Sequence, residues 1–163
     1  MPDAAIERLD PDDPEVRRII AAADDYYRGL YPAESNHLEP VEALKRPGML
    51  FVGCRVDGRL AASGAAKIMT DDGTYGEIKR VFVLDEYRGL GLSRRIMDYL
   101  EARLREQGIE LLRLETGIHQ PEAIGLYRKL GYRERGPFGA YRVDPLSVFM
   151  EKRAAGPPAG QGS

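Results

Sequence analysis

From Glu77 to Thr116 the chain sets out a strand, a glycine-bearing turn, a helix and a second strand, and this order constrains the fold more than any other feature. The segment "EIKRVFVL" is rich in β-branched and aromatic residues, and "IELLRLET" also reads as a strand. Between them Leu92, Ile96, Leu100 and Leu104 recur every four residues with Met97 beside them. That is the stripe of an amphipathic helix, and Gly108 stands at its expected C-terminal cap. A strand, helix and strand joined in this way make a right-handed crossover, so the two strands run parallel.

The flanking sequence supplies an antiparallel part. "AAIERL" reads as a first strand, followed by a helix that starts in "DPDDP" and carries Val16, Ile19, Ile20, Ala23 and Tyr27 on one face. After the polar loop "YPAESNH", "LEPVEALKRPG" is a short helix closed by Pro47 and Gly48. "MLFVGCRV" and "LAASGAAKIM" form a hairpin across Asp57-Gly58, and "TDDGTYG" turns into the strand that opens the crossover. Downstream, "QPEAIGLYRKLG" is a helix with Ala123, Ile124, Tyr127 and Leu130 on one stripe, and "YRERG" and "LSVFMEK" close the sheet. The expected fold class is therefore α/β, a mixed sheet of about seven strands with four helices. With no internal repeat, residues 1–153 form one expected domain, and the Gly- and Pro-rich 154–163 a disordered tail.

Composition narrows the partners. Twenty-four basic against 26 acidic residues leave a net charge of -2, so no global field draws nucleic acid or an anionic membrane. Any anion site must be local. One cysteine, Cys54, provides neither a disulfide framework nor a multi-cysteine metal site, and no metal is expected. The beginning "MPDAAIERLDPDD" lacks an apolar core, and no apolar run approaches the ~20 residues of a membrane span. A cytoplasmic location is the expectation.

"EYRGLGLSRR" reads as the start of an amphipathic helix interrupted by two glycines and surrounded by arginines. The first turn of a helix leaves backbone N–H groups unpaired at the positive end of the macrodipole. Gly89 and Gly91 would let a phosphate approach that backbone without a Cβ in the way. The glycines also fit a bare tight turn. A nucleotide P-loop is excluded because Leu92 and Ser93 follow where Lys and Ser/Thr are needed. A dinucleotide fingerprint is excluded because Arg94 occupies the third glycine position.

The run Arg88-Gly89-Leu90-Gly91-Leu92-Ser93 resembles the acetyl-CoA signature of the GCN5-related N-acetyltransferases (GNAT). Arg or Gln, two residues, Gly, one residue, then Gly or Ala is the family's pattern; Ser93 departs from it but is small. The resemblance extends through "EIKRVFV", "LLRLET" and "QPEAIGLYRKLGY" and covers residues 5–152 in element order. It implies the acyl-CoA N-acyltransferase fold with a splayed parallel strand pair, and acetyl-CoA as the bound cosubstrate with CoA as product.

By the same resemblance, main-chain groups of Val81, Phe82 and Val83 would bond the pantetheine arm. The amides from Gly89 through Leu90, Gly91, Leu92 and Ser93 to Arg94, with Arg88 at the mouth, would hold the pyrophosphate. Gln120 falls where the family often carries a cofactor-bonding Asn. A backbone N–H near Val81, freed by a bulge, would receive the oxyanion. An amine with a pKa of about 10.4 must lose a proton. Glu77, eleven residues before Arg88, matches one base position of the family, and Glu115, five before Gln120, another. Both carboxylates also fit edge ion pairs, Glu77 with Lys79 and Glu115 with Arg113. Tyr127 matches the general acid that protonates the departing thiolate, though it equally suits the core stripe of its helix. Cys54, mid-strand with no nearby histidine, suits a packed thiol better than an acyl carrier. Glu34, Asn36 and His37 in the loop after the first helix, and Arg142 near the C-terminus, are the acceptor candidates.

Transfer of acetyl to the primary amine of a small molecule in a ternary complex is the resulting expectation. A protein amine is the alternative acceptor, and a non-catalytic acyl-CoA sensor the alternative class. Dimers are common in the family, so a homodimer stays open.

Overall fold

A computed structural model describes residues 5–35 and 39–153. Asn36, His37 and the tail 154–163 lie outside the described residues. Strands β1 (Ile6–Arg8), β2 (Met49–Val56), β3 (Arg59–Met69), β4 (Tyr75–Val83), β5 (Leu111–Gly117), β6 (Arg133–Arg135) and β7 (Ser147–Arg153) form one sheet in the order β1-β2-β3-β4-β5-β7-β6. Helices are α1 (Pro14–Leu30), α2 (Val41–Leu44), α3 (Leu92–Glu106) and α4 (Pro121–Lys129). The expected mixed sheet is present, with β4 and β5, joined by α3, as parallel neighbours. Among the described residues no helix is long and apolar enough to cross a membrane.

The chain divides into two compact units, one of residues up to Lys67 with Ile78–Leu100, the other of Ile68–Glu77 with residues from Glu101 onward. In the first, Asp13 caps α1 by accepting the Glu15 N–H, and Pro14 fills the first helical position, where no N–H is needed. The faces that periodicity assigns inward are inward: Val16, Ile19, Ile20, Ala23 and Tyr27 of α1 are all buried. The β2–β3 turn uses left-handed Asp57 and Gly58 (φ 50° and 81°), the two-residue geometry that matches strand twist. Gly64 of β3 lets α3 come close, since a Cβ there would lie 2.5 Å from Cγ2 of Ile96. Cys54 of β2 is fully buried, and burial pushes its thiol pKa up. That environment suits a packed thiol and opposes an acyl-cysteine route.

In the second unit β5 pairs antiparallel with β7, and β6 adds to the outer side of β7. Tyr75, Phe138 and Phe149 form its aromatic core, with Tyr141 packed against them. Arg113 is buried with its guanidinium 4.6 Å above the Tyr75 ring and bonded to Glu151 at 2.8 Å. Glu101, also buried, accepts from the Tyr132 hydroxyl at 2.7 Å and from Lys152 at 2.8 Å. Burial and the Glu101 charge push the Tyr132 hydroxyl pKa far up, so it remains a donor.

Candidate active site

The first unit carries the glycine turn. β4 ends at Val83, a 3-10 turn spans Asp85–Tyr87, and Gly89 and Gly91 follow with φ of 84° and 75°. A right-handed helix cannot include such residues, so α3 begins at Leu92, after both glycines and not around them. A Cβ at either glycine would meet nothing within 4 Å, so the space above this backbone is open. The first helical bond runs from the Arg95 N–H to the Gly91 carbonyl at 3.2 Å. The amides of Leu92, Ser93 and Arg94 therefore have no acceptor within the helix. No acidic side chain sits in that first turn to neutralise the end of the dipole.

Arginines flank this turn. Arg88 is steadied by Asp85 at 3.2 Å and lies 5.1 Å over the Tyr26 ring, while the exposed Arg94 lies 3.8 Å from Asp98. Leu90 and Ser93 are half-buried. Open left-handed glycines, bare amides and a positive rim are what a diphosphate requires, so the fit to the CoA pyrophosphate is good on chemistry.

Just upstream, β4 carries a left-handed residue close to where the family resemblance implies a bulge. Arg80 has a φ of 55°, a left-handed conformation costly for a long side chain at about 1–3 kcal/mol. Tertiary bonds hold it there. Its Nε donates to the Glu39 carbonyl at 2.7 Å and its Nη2 to Asp24 at 2.9 Å. A left-handed residue within a strand is the conformation found at bulges, and this one directly precedes Val81. The Val81 carbonyl accepts the Tyr27 hydroxyl at 3.2 Å, and Phe82 packs against Tyr26 and Tyr27 with ring centroids 5.9 and 6.2 Å away. Val83 is half-buried.

The second unit carries the titratable candidates. Glu77 is buried, 3% exposed, and accepts the Tyr141 hydroxyl at 2.6 Å. Lys79, its expected strand-face partner, has its ammonium 3.3 Å from Glu39. Glu115 is half-buried and accepts from the Ser147 hydroxyl at 2.8 Å, while Arg113 binds Glu151 and Asp72. Tyr127 lies on the buried side of α4, its ring edge-on to Tyr132 at 6.0 Å. Gln120 precedes α4 and turns its side-chain oxygen back to the Gly117 N–H at 3.3 Å. Glu34 and Arg142 are exposed.

Two structural relationships escaped the sequence reading. Tyr141 stands 64 residues from Glu77, and no local pattern links them. Arg80 looked like one polar residue in a strand, and its conformation has no compositional signature.

Against known proteins, residues 16–132 match the family described as the acetyltransferase (GNAT) family. The chain is 45% identical over 152 residues to the IAA acetyltransferase of Azospirillum brasilense, covering 93% of this chain and 99% of that protein. A solved protein of Klebsiella pneumoniae assigned to the acyl-CoA N-acyltransferases is 35% identical with a TM-score of 0.76, covering 93% of this chain and 98% of that one. The PaiA N-acetyltransferase of Thermoplasma acidophilum, solved with coenzyme A, shares the fold at 20% identity and a TM-score of 0.68, covering 93% and 99%.

Proposed function

The chain belongs to the GNAT acetyltransferase family and is an acyltransferase, and from that premise we propose that it moves acetyl from acetyl-CoA directly to the primary amine of a small molecule. The observation that carries this reading is the turn at Gly89 and Gly91, which leaves the α3 amides bare and unopposed by acid. Acetyl-CoA, when bound, supplies an activated thioester whose carbon forms the new bond to the amine nitrogen as its bond to sulfur breaks.

The protein's own groups do the rest. Amides between Gly89 and Arg94 hold the diphosphate, and main-chain groups of Val81 to Val83 line up with the pantetheine arm like a neighbouring strand. The left-handed backbone at Arg80 falls beside Val81, where a backbone donor for the carbonyl oxygen is wanted. Glu77 takes the amine proton, with Tyr141 fixing the orientation of its carboxylate. Tyr127 returns a proton to the leaving sulfur. Glu115, bound to Ser147, is the second carboxylate able to serve as base. Gln120 borders the same bound molecule, and Glu34 and Arg142 contact the acceptor.

The name of the Azospirillum relative, an IAA acetyltransferase, supports a small-molecule acceptor. CoA release is the test, measured over a panel of small amines and peptides, with acetylated product identified by mass. Turnover confined to small amines is expected. Turnover of peptides alone would replace the acceptor class, and tight acetyl-CoA binding without turnover would make the protein a sensor.

A further inference from the structure

A pocket of about 570 Å3 opens in the first unit, lined by Asp24, Arg28 and Tyr31 at the end of α1, by Glu39 and Pro40, and by Arg80 of β4. The Arg80 side chain is 5% exposed, and Tyr31 is buried beside it in the lining. A guanidinium presents five N–H donors in a rigid fork. Nε and Nη2 of Arg80 are used by Glu39 and Asp24, and among the described residues Nη1 has no acceptor. A buried charged donor left without an acceptor is costly. Arg28 is 67% exposed and bonds Asp25 through Nη1 at 2.9 Å, which leaves its Nε and Nη2 to face an incoming group.

The acids that line the pocket, Asp24 and Glu39, are already matched. Asp24 holds Arg80, Asp25 holds Arg28, and Glu39 lies 3.6 Å from Lys67 and 3.3 Å from Lys79. Two carboxylates and two guanidiniums line the pocket, and both carboxylates already hold cations, so an incoming ammonium finds no unmatched acid in the lining, whereas a carboxylate would meet unfilled guanidinium donors. Tyr31 and Pro40 supply apolar wall for the carbon skeleton in between. Arg80 directly precedes Val81, so a group held here lies beside the strand segment assigned above to the pantetheine arm.

We infer that this pocket selects acceptors carrying a carboxylate several bonds from the reacting amine, gripped by Arg28 and Arg80; the inference rests on the acetyl-transfer reading. The full chain is to be assayed with 5-aminovalerate and 4-(aminomethyl)benzoate, each beside its primary amide. A kcat/KM about tenfold higher for the carboxylates is expected, carried by KM, with R28Q bringing the ratio to about one. Turnover aside, 4-methylbenzoate and 4-methylbenzamide are titrated while the Arg80 Nε–H resonance is followed by NMR. The carboxylate should shift that resonance saturably, the amide should not, and R28Q should weaken carboxylate binding about tenfold. Equal handling of carboxylate and amide, preference for the amide, or absence of selective binding overturns the pocket assignment even if amines are acetylated. Selective carboxylate binding with no amine ever acetylated would instead overturn the transfer reading.

Discussion

The Tyr141 hydroxyl donates to the buried Glu77 carboxylate at 2.6 Å, joining a residue of the β6–β7 connection to the first part of β4. Tyr141→Phe removes that donor from a buried carboxylate, which should cost about 1–3 kcal/mol in denaturant unfolding. With Glu77 as the base, Tyr141→Phe should lower kcat about tenfold and Glu77→Gln about 10²-fold in steady-state assays of CoA release. An unaltered kcat in Glu77→Gln would move the base to Glu115.

Tyr127→Phe keeps the ring that faces Tyr132 and deletes only the hydroxyl. Its expected effect is a kcat loss of about 10²-fold at nearly unchanged acetyl-CoA affinity. Single-turnover CoA release is the decisive reading, and a rate equal to that of the parent would reduce Tyr127 to a packing residue.

Gly91→Val forces a β-branched residue into a left-handed conformation and puts carbon into the open space over the α3 amides. Calorimetric titration should show acetyl-CoA binding weakened at least about tenfold, together with about 1–2 kcal/mol of lost stability. Undiminished affinity would mean that the glycines only shape the chain.

Gly64→Ala places a Cβ 2.5 Å from Cγ2 of Ile96, a contact that a stiff β-branched helix residue cannot easily relieve. Overpacking of this kind costs about 1–3 kcal/mol. Ile96→Leu, which lacks the branch methyl, should recover part of the loss, and a double-mutant cycle of melting free energies measures the coupling.

Glu151 offers a pH test of stability. Burial pushes its carboxyl pKa up, but hydrogen bonds from Arg113 and Arg135 outweigh that and hold it below its ordinary 4.5. A carboxyl depressed in the folded state binds fewer protons there than when unfolded, so its stabilisation is complete above about 4.5 and disappears as the pH falls through the folded value. Glu151→Gln should therefore be less stable at pH 7, with the gap to the parent narrowing on acidification below 4.5. A constant gap across that range would contradict the linkage.

Periodicity made much of this architecture readable in advance. Leu92, Ile96, Leu100 and Leu104 are buried as their fourfold spacing requires, and Asp57-Gly58 turns as that dipeptide's tolerance of positive φ allows. The helix start was harder to read, because the arginines around the glycines have good helix propensity while Gly89 and Gly91 adopt a conformation that no right-handed helix accepts. Tertiary relationships were invisible for a different reason. Glu77 with Tyr141, Arg113 between the Tyr75 and Phe138 rings, and Arg80 against α1 are fixed by how the chain returns on itself, not by any neighbour in sequence.

A seat for diphosphate built from main-chain N–H groups, as proposed for the turn at Gly89 and Gly91, has a genetic consequence. Side-chain replacement at the half-buried Leu90 or Ser93 leaves every amide in place, so alanine scanning there would leave the amide donors untouched. Amide-to-ester substitution along Gly89–Arg94 deletes the donors one at a time. Such a seat depends on backbone torsions rather than on side-chain identity, so Ser93 can stand where the family pattern has Gly or Ala without removing a donor.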